Sequence, residues 1–82
     1  MMTITVNRDP KKRLYLDVNF PNALALADVV VQRGYKLDNI LHPTPTRVLF
    51  VLSPSNGPSG ANFIIQFLKQ NYAVGKLTWK TR

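Results

Sequence analysis

The segment from Arg47 to Leu52 restricts the fold more than any other part of the chain. Five apolar residues follow one cation without a polar interruption. Six residues between a proline-rich and a glycine-rich segment have the length of a strand and are too few for an ordinary helix. Because both faces of such a strand are apolar, the segment predicts the middle strand of a small sheet, covered on both sides.

Two further segments show the alternation of a half-buried strand. Apolar and polar residues alternate in residues 2–7 and again in residues 14–19, which is the period of a strand with one face in the core. Between them, Asp9-Pro10 favours a turn, and the proline cannot donate to a sheet. The pattern predicts a β-hairpin with a cationic tip.

Helical spacing of apolar residues predicts a first helix after this hairpin. Asn19 is the expected N-cap. Gly34 is placed to end the helix in the left-handed conformation, with Tyr35 as the apolar contact behind it. The expected buried face consists of Phe20, Ala23, Leu24, Ala27, Val30 and Val31.

A second helix is predicted after the Ser53–Gly60 loop, with Ser59 as its cap and an end near Tyr72. Lys69 lies in its last turn, where the helix dipole favours a cation. The expected buried face consists of Ala61, Ile64, Ile65 and Leu68, widened by Phe63 and Phe67.

Two more strands complete the expected order of elements. Leu37, Ile40 and Leu41 suggest a short strand, and residues 42–46, with two prolines, form the expected hairpin connection to Arg47. After Gly75, residues 76–82 alternate again, with Leu77 and Trp79 on the side expected to face the core. We therefore expect a single α+β domain over residues 1–82, in the order β-β-α-β-β-α-β. Its sheet is expected to be mainly antiparallel, with both helices on one face and the other face partly open.

The composition argues against an enzyme and against a cofactor or metal site. The chain contains no cysteine, no glutamate and one histidine, His42, so it offers no thiolate ligands and no close pair of carboxylates. The Ser53–Gly60 loop precedes a helix, where backbone N–H groups could hold a phosphate. It lacks the Gly-Lys-Ser/Thr ending of a nucleotide-binding loop, and Pro54 and Pro58 each remove an N–H. We expect this loop to be a solvated connector. The alternative is that it binds a phosphate of a nucleic-acid backbone.

The chain shows no sign of a targeting or membrane-spanning segment. Residues 1–8 lack the apolar core of a signal peptide, and no apolar run approaches the roughly 18 residues of a membrane span. We expect a cytoplasmic protein without membrane association.

The charge balance points to an anionic partner. Eleven lysines and arginines against four aspartates give a formal net charge of +7, which attracts polyanions such as DNA or RNA. Cations cluster at the first hairpin and along the last strand, close to the aromatic residues Tyr15, Tyr72 and Trp79. Surfaces that bind single-stranded nucleic acid combine such groups, because bases stack on the rings and phosphates contact the cations. The predicted contacts with phosphates are electrostatic and have little sequence preference. The residues predicted to make them are Arg8, Lys11, Lys12, Arg13, Lys76, Lys80 and Arg82.

Other interpretations of the same charges stay open. A charged hairpin tip can serve solubility alone, and lysines on an edge strand discourage unwanted pairing. Alternatively, the protein is an interaction module, such as a small phage or mobile-element regulator that docks on an acidic partner, or a homodimer. Residues 24–52 resemble small phage and bacterial domains, a resemblance that implies no functional residues.

Overall fold

The structure is a computed structural model that describes residues 2–8, 13–52 and 57–81, without the side chains of residues 57, 58 and 81. It confirms one small α+β domain with the expected order of elements. The elements are β1 (Met2–Arg8), β2 (Leu14–Asn19), α1 (Ala23–Gln32), β3 (Asn39–Thr44), β4 (Arg47–Leu52), α2 (Gly57–Asn71) and β5 (Val74–Thr81).

The five strands form one mixed sheet in the order β3-β4-β2-β1-β5. Three neighbouring pairs are antiparallel, and β1 and β5 are parallel. The parallel pair arises because α2 carries the chain from β4 past β2 and β1 to the far edge. Neither described helix is long and apolar enough to cross a membrane.

The position of β4 corrects one expectation. The apolar segment lies second from the edge, and β2 is the middle strand. Val48, Phe50 and Leu52 are buried on the side of the helices, but no described element covers the other side of β4. Val51 is nevertheless buried on that side, which explains why the segment is apolar throughout.

Both helices pack on one face of the sheet, which we call the covered face. Alternate residues of three strands meet the inner sides of α1 and α2 there in one hydrophobic core. The strand residues of this core are Met2, Ile4, Val6, Leu14, Leu16, Val18, Val48, Phe50 and Leu52. The helix residues are Ala23, Leu26, Ala27 and Val30 of α1 and Ala61, Ile64, Ile65, Phe67 and Leu68 of α2.

The first helix starts later than expected. Asn19 is still paired in β2, and the backbone N–H of Phe20 donates to the Thr46 carbonyl at 2.8 Å, so the chain stays in the sheet to that point. Asn22 is the N-cap, without a side-chain cap bond. The second helix starts earlier, at Gly57, so Ser59 lies within its first turn.

Three helix side chains expected in the core are exposed. Leu24 and Val31 are 54% and 53% exposed, whereas Leu26, which the expected face omitted, is buried. Apolar residues lie on more than one side of α1, so spacing alone could not identify the inner side. On α2, Phe63 is 63% exposed.

The end of α1 agrees with expectation. Gly34 has φ of +82°, the left-handed conformation that glycine adopts without strain. Tyr35 follows and packs against the core, with its ring centroid 6.1 Å from that of Phe67. The Arg33 guanidinium lies 5.0 Å from the centroid of the same Phe67 ring. The Phe67 side chain of α2 therefore packs against the residues that end α1.

The edge strands also differ from expectation in their bounds. In β3, His42 and Pro43 continue the strand, and Pro43 is tolerated because β3 is an edge strand. In β5, Gly75 lies inside the strand, at a shift of register against β1. Leu77 packs against the core, but Trp79 is 51% exposed, because β5 lies at the edge of the sheet.

Candidate functional site

The face of the sheet opposite the helices is not covered by any described element, and we call it the open face. Strand pairing arranges its side chains in three rows that cross the sheet from β3 or β4 to β5. The upper row contains Asn39, Val51, Tyr15, Asn7 and Lys80. The middle row contains Leu41, Leu49, Asp17, Thr5 and Thr78. The lower row contains Arg47, Asn19, Thr3 and Lys76.

The part of the open face on β1 and β5 is polar and cationic. Lys76 and Lys80 are exposed and four residues apart on one strand, which separates their Cα atoms by about 13 Å. They line a shallow groove of about 340 Å³ together with threonines from both strands. β1 and β5 contain no acidic residue. Ammonium and hydroxyl groups in this arrangement can donate to successive phosphates.

An ion pair occupies the part of the open face on β2 and β4. Nε and Nη2 of Arg47 donate to Oδ1 and Oδ2 of Asp17 at 2.9 and 2.7 Å. The Asp17 side chain is only 15% exposed and that of Arg47 is 41% exposed. The hydrogen bond to Asp17, and then its charge, raise the pKa of Arg47 above its ordinary value, against a smaller effect of desolvation. The pair neutralises the one carboxylate in the three rows.

A larger cavity lies at the β3 end of the upper row. It has a volume of about 470 Å³ and is lined by Tyr15, Leu41, Val51, Arg13, Asp38 and Asn39. An aromatic ring and two aliphatic side chains therefore meet two charged groups and an amide at one place on the open face.

The structure brings together part of the predicted cationic set. Lys76 and Lys80 share the open face, and Arg13 reaches its upper end beside Tyr15. Arg8 is in register with Leu14 and continues the alternation of the covered face, so it lies on the other side of the sheet. Lys11, Lys12 and Arg82 lie outside the described residues, as do the tip of the hairpin and residues 53–56 of the predicted loop.

Only one of the three aromatic residues noted in the sequence lies on the open face. Tyr15 lies in its upper row, whereas the ring of Tyr72 packs edge-on against Phe20 on the covered side, with centroids 5.3 Å apart. Trp79 is in register with Val6 and so belongs to the covered side of β5. Of these three residues, Tyr15 is therefore the one on the open face.

Sequence reasoning missed the polar neighbours of the lysines. Thr3, Thr5 and Asn7 alternate with core residues, so their common face was visible in the sequence. Their pairing with β5 was not, because it joins residues more than 70 positions apart. The Asp17–Arg47 pair, 30 residues apart, was missed for the same reason.

Comparison of the chain with models of known families, with curated proteins and with solved structures finds no match in any of the three. The function of the open face is therefore inferred from its residues alone.

Proposed function

We propose that the protein is a non-enzymatic nucleic-acid-associated protein that binds phosphate backbones on its open face. The observation that supports this proposal is the position of Lys76 and Lys80 among threonine hydroxyls on the uncovered side of two strands without acidic residues. Contacts from such groups hold a phosphate backbone and carry little sequence information.

The distribution of acidic residues favours the same face. The carboxylate of Asp17 is neutralised by Arg47. Asp28 is exposed on α1, on the opposite side of the sheet from the lysines. Asp38 lies at the β3 end of the open face, at the edge of the sheet far from the lysines of β5. A net charge of +7 attracts a polyanion from a distance. On the described surface, acidic residues repel a polyanion least at the lysine-bearing half of the open face.

Weak sequence preference is expected from the chemical groups on the open face. Both helices cover the other face, so the open face presents strands to the nucleic acid instead of a helix that could enter the major groove. The cations on its β1 and β5 part are two lysines, which bind phosphates as point charges. The three rows contain no histidine or cysteine, in keeping with a binding role.

The test is a salt series of binding curves with fluorescent single- and double-stranded DNA and RNA. Replacing Lys76 and Lys80 together by glutamine removes two phosphate contacts. The slope of log K against log salt concentration should then flatten by about 1.4 for single strands and about 1.8 for duplex DNA. The matched control replaces Lys36 and Lys69, which lie outside the three rows, by glutamine, so that the net charge falls by the same amount.

Two results contradict the proposal. In the first, the wild-type protein binds none of the four nucleic acids at low salt. In the second, the two double variants flatten the slope equally, so that net charge acts without a defined surface.

The exposed apolar residues on the helices favour a second candidate function, docking on another protein. Phe63 of α2 is 63% exposed, and Leu24 and Val31 of α1 are more than half exposed, although large apolar side chains are usually buried. A partner that docks on the outer side of the helices would cover them. The test is recovery of partners from lysate with and without nuclease: partners that survive nuclease and are lost on Phe63→Ser would support docking.

A further inference from the structure

The cavity beside Tyr15 is large enough to hold one nucleobase. Its volume of about 470 Å³ lies within the range of pockets that hold small molecules. Tyr15 and Leu41 contribute apolar surface to a mostly polar lining, in which Arg13, Asp38 and Asn39 supply polar groups. It lies on the open face, at the β3 end of the row that contains Lys80.

We propose that this cavity takes one unpaired nucleobase stacked on Tyr15, so that the ligand of the open face is single-stranded nucleic acid. The inference rests on the proposed function and names its substrate class. Stacking on an aromatic ring is available to every base and needs no hydrogen-bond pattern. It therefore adds affinity without adding sequence preference.

The polar groups of the cavity suit a base better than a phosphate. The carboxylate of Asp38 repels a phosphate but can accept an N–H from the edge of a base. Oδ1 of Asn39 already accepts the backbone N–H of Ile40 at 2.8 Å, so its Nδ2 group offers donors to a base carbonyl. Phosphates are then expected outside the cavity, at the lysines.

The upper row gives the spacing between base and phosphate. Tyr15 is in register with Asn7, and Asn7 is in register with Lys80. Two strand spacings put Tyr15 and Lys80 about 10 Å apart, a distance that one nucleotide and an extended lysine side chain span together. A strand that crosses the sheet along this row therefore places a base on Tyr15 and a phosphate at Lys80. A duplex cannot do so without unpairing, because its bases are stacked inside.

The experiment compares two probes of equal length, a single-stranded oligonucleotide and an abasic strand with the same phosphates. The wild-type protein is expected to bind the base-bearing strand between about 5-fold and 150-fold more tightly, the contribution of one stacked base. Tyr15→Leu should bring this ratio close to one and leave the salt slope unchanged, and Tyr15→Phe should keep the ratio.

A measurement on the unaltered protein guards against misfolding of the variants. The ring protons of Tyr15 should shift upfield in NMR spectra when the base-bearing strand is added, and the abasic strand should leave them in place. A wild-type ratio near one, or a ratio that survives Tyr15→Leu, overturns the inference. If both probes bind equally and with the lysine-dependent salt slope, the proposed function stands without the inference. A protein that binds neither probe contradicts the inference, and it contradicts the proposed function as well if it also binds neither duplex DNA nor duplex RNA.

Discussion

On β1, the covered face carries Met2, Ile4 and Val6, and the open face carries Thr3 and Thr5 with Asn7. The same strand thus contributes fully buried side chains to the core and hydroxyl groups to the surface. On β5, Leu77 and Lys76 repeat this division. Because alternation separates the two sets of side chains, substitutions on the open face can change binding with little effect on stability.

The largest expected effect concerns the covered face. Phe50→Ala should lower the free energy of unfolding by about 3–5 kcal/mol, because Phe50 is fully buried and its removal leaves a cavity. Leu49→Ala, one position along the same strand but on the open face, should cost less than half as much. Denaturant unfolding of both variants measures the difference, and equal midpoints would show that the two faces are equally packed.

A negative charge on the open face should weaken binding next most strongly. Thr5→Glu places a carboxylate in the middle row, in register with Thr78 and between the two lysines. We expect nucleic-acid affinity to fall about tenfold at low salt, equivalent to about 1.4 kcal/mol. Thr5→Gln, with the same shape and no charge, is the control. Equal affinities of the two variants would place the binding surface elsewhere.

The Asp17–Arg47 pair should make a smaller contribution to stability. Arg47→Gln removes both hydrogen bonds to Asp17, so stability should fall by less than for Phe50→Ala. A raised pKa stabilises the fold below the pKa of the unfolded chain, and this stabilisation is lost only above the folded pKa. For Arg47, both values lie above the usual working range. The difference between wild type and variant should therefore be constant from about pH 7 to about pH 9, and a marked change over that range would contradict this account.

The smallest effect is expected on the outer side of the helix layer. Leu24→Ser should change the free energy of unfolding by no more than about 0.5 kcal/mol, because this side chain is mostly exposed. Leu26→Ser, two residues along the same helix, replaces a buried side chain and should cost several times more. Thermal unfolding of the pair checks which side of α1 faces the sheet.

The order of helices and strands was predictable because local patterns specify it. The alternation of apolar and polar residues predicted strands at residues 2–7 and 14–19, and Gly34 predicted the end of α1 correctly. The buried side of α1 was not predictable, since Leu24 and Leu26 are both apolar and only contact with the sheet distinguishes them. Of the candidate site, Lys76 and Lys80 could be placed on a common side of one strand, but their neighbours on β1 could not be identified.

The amino-acid sequence by itself determined the order of the elements and the two sides of each strand, because these depend on residues close together in the chain. The tertiary structure decided which strands are neighbours. It placed β5 beside β1, so the lysines face threonines instead of acidic residues. It also aligned Tyr15 with Lys80 across three strands. The physical reason is that backbone pairing is nearly independent of side-chain identity, so neighbours are selected by how the whole core packs.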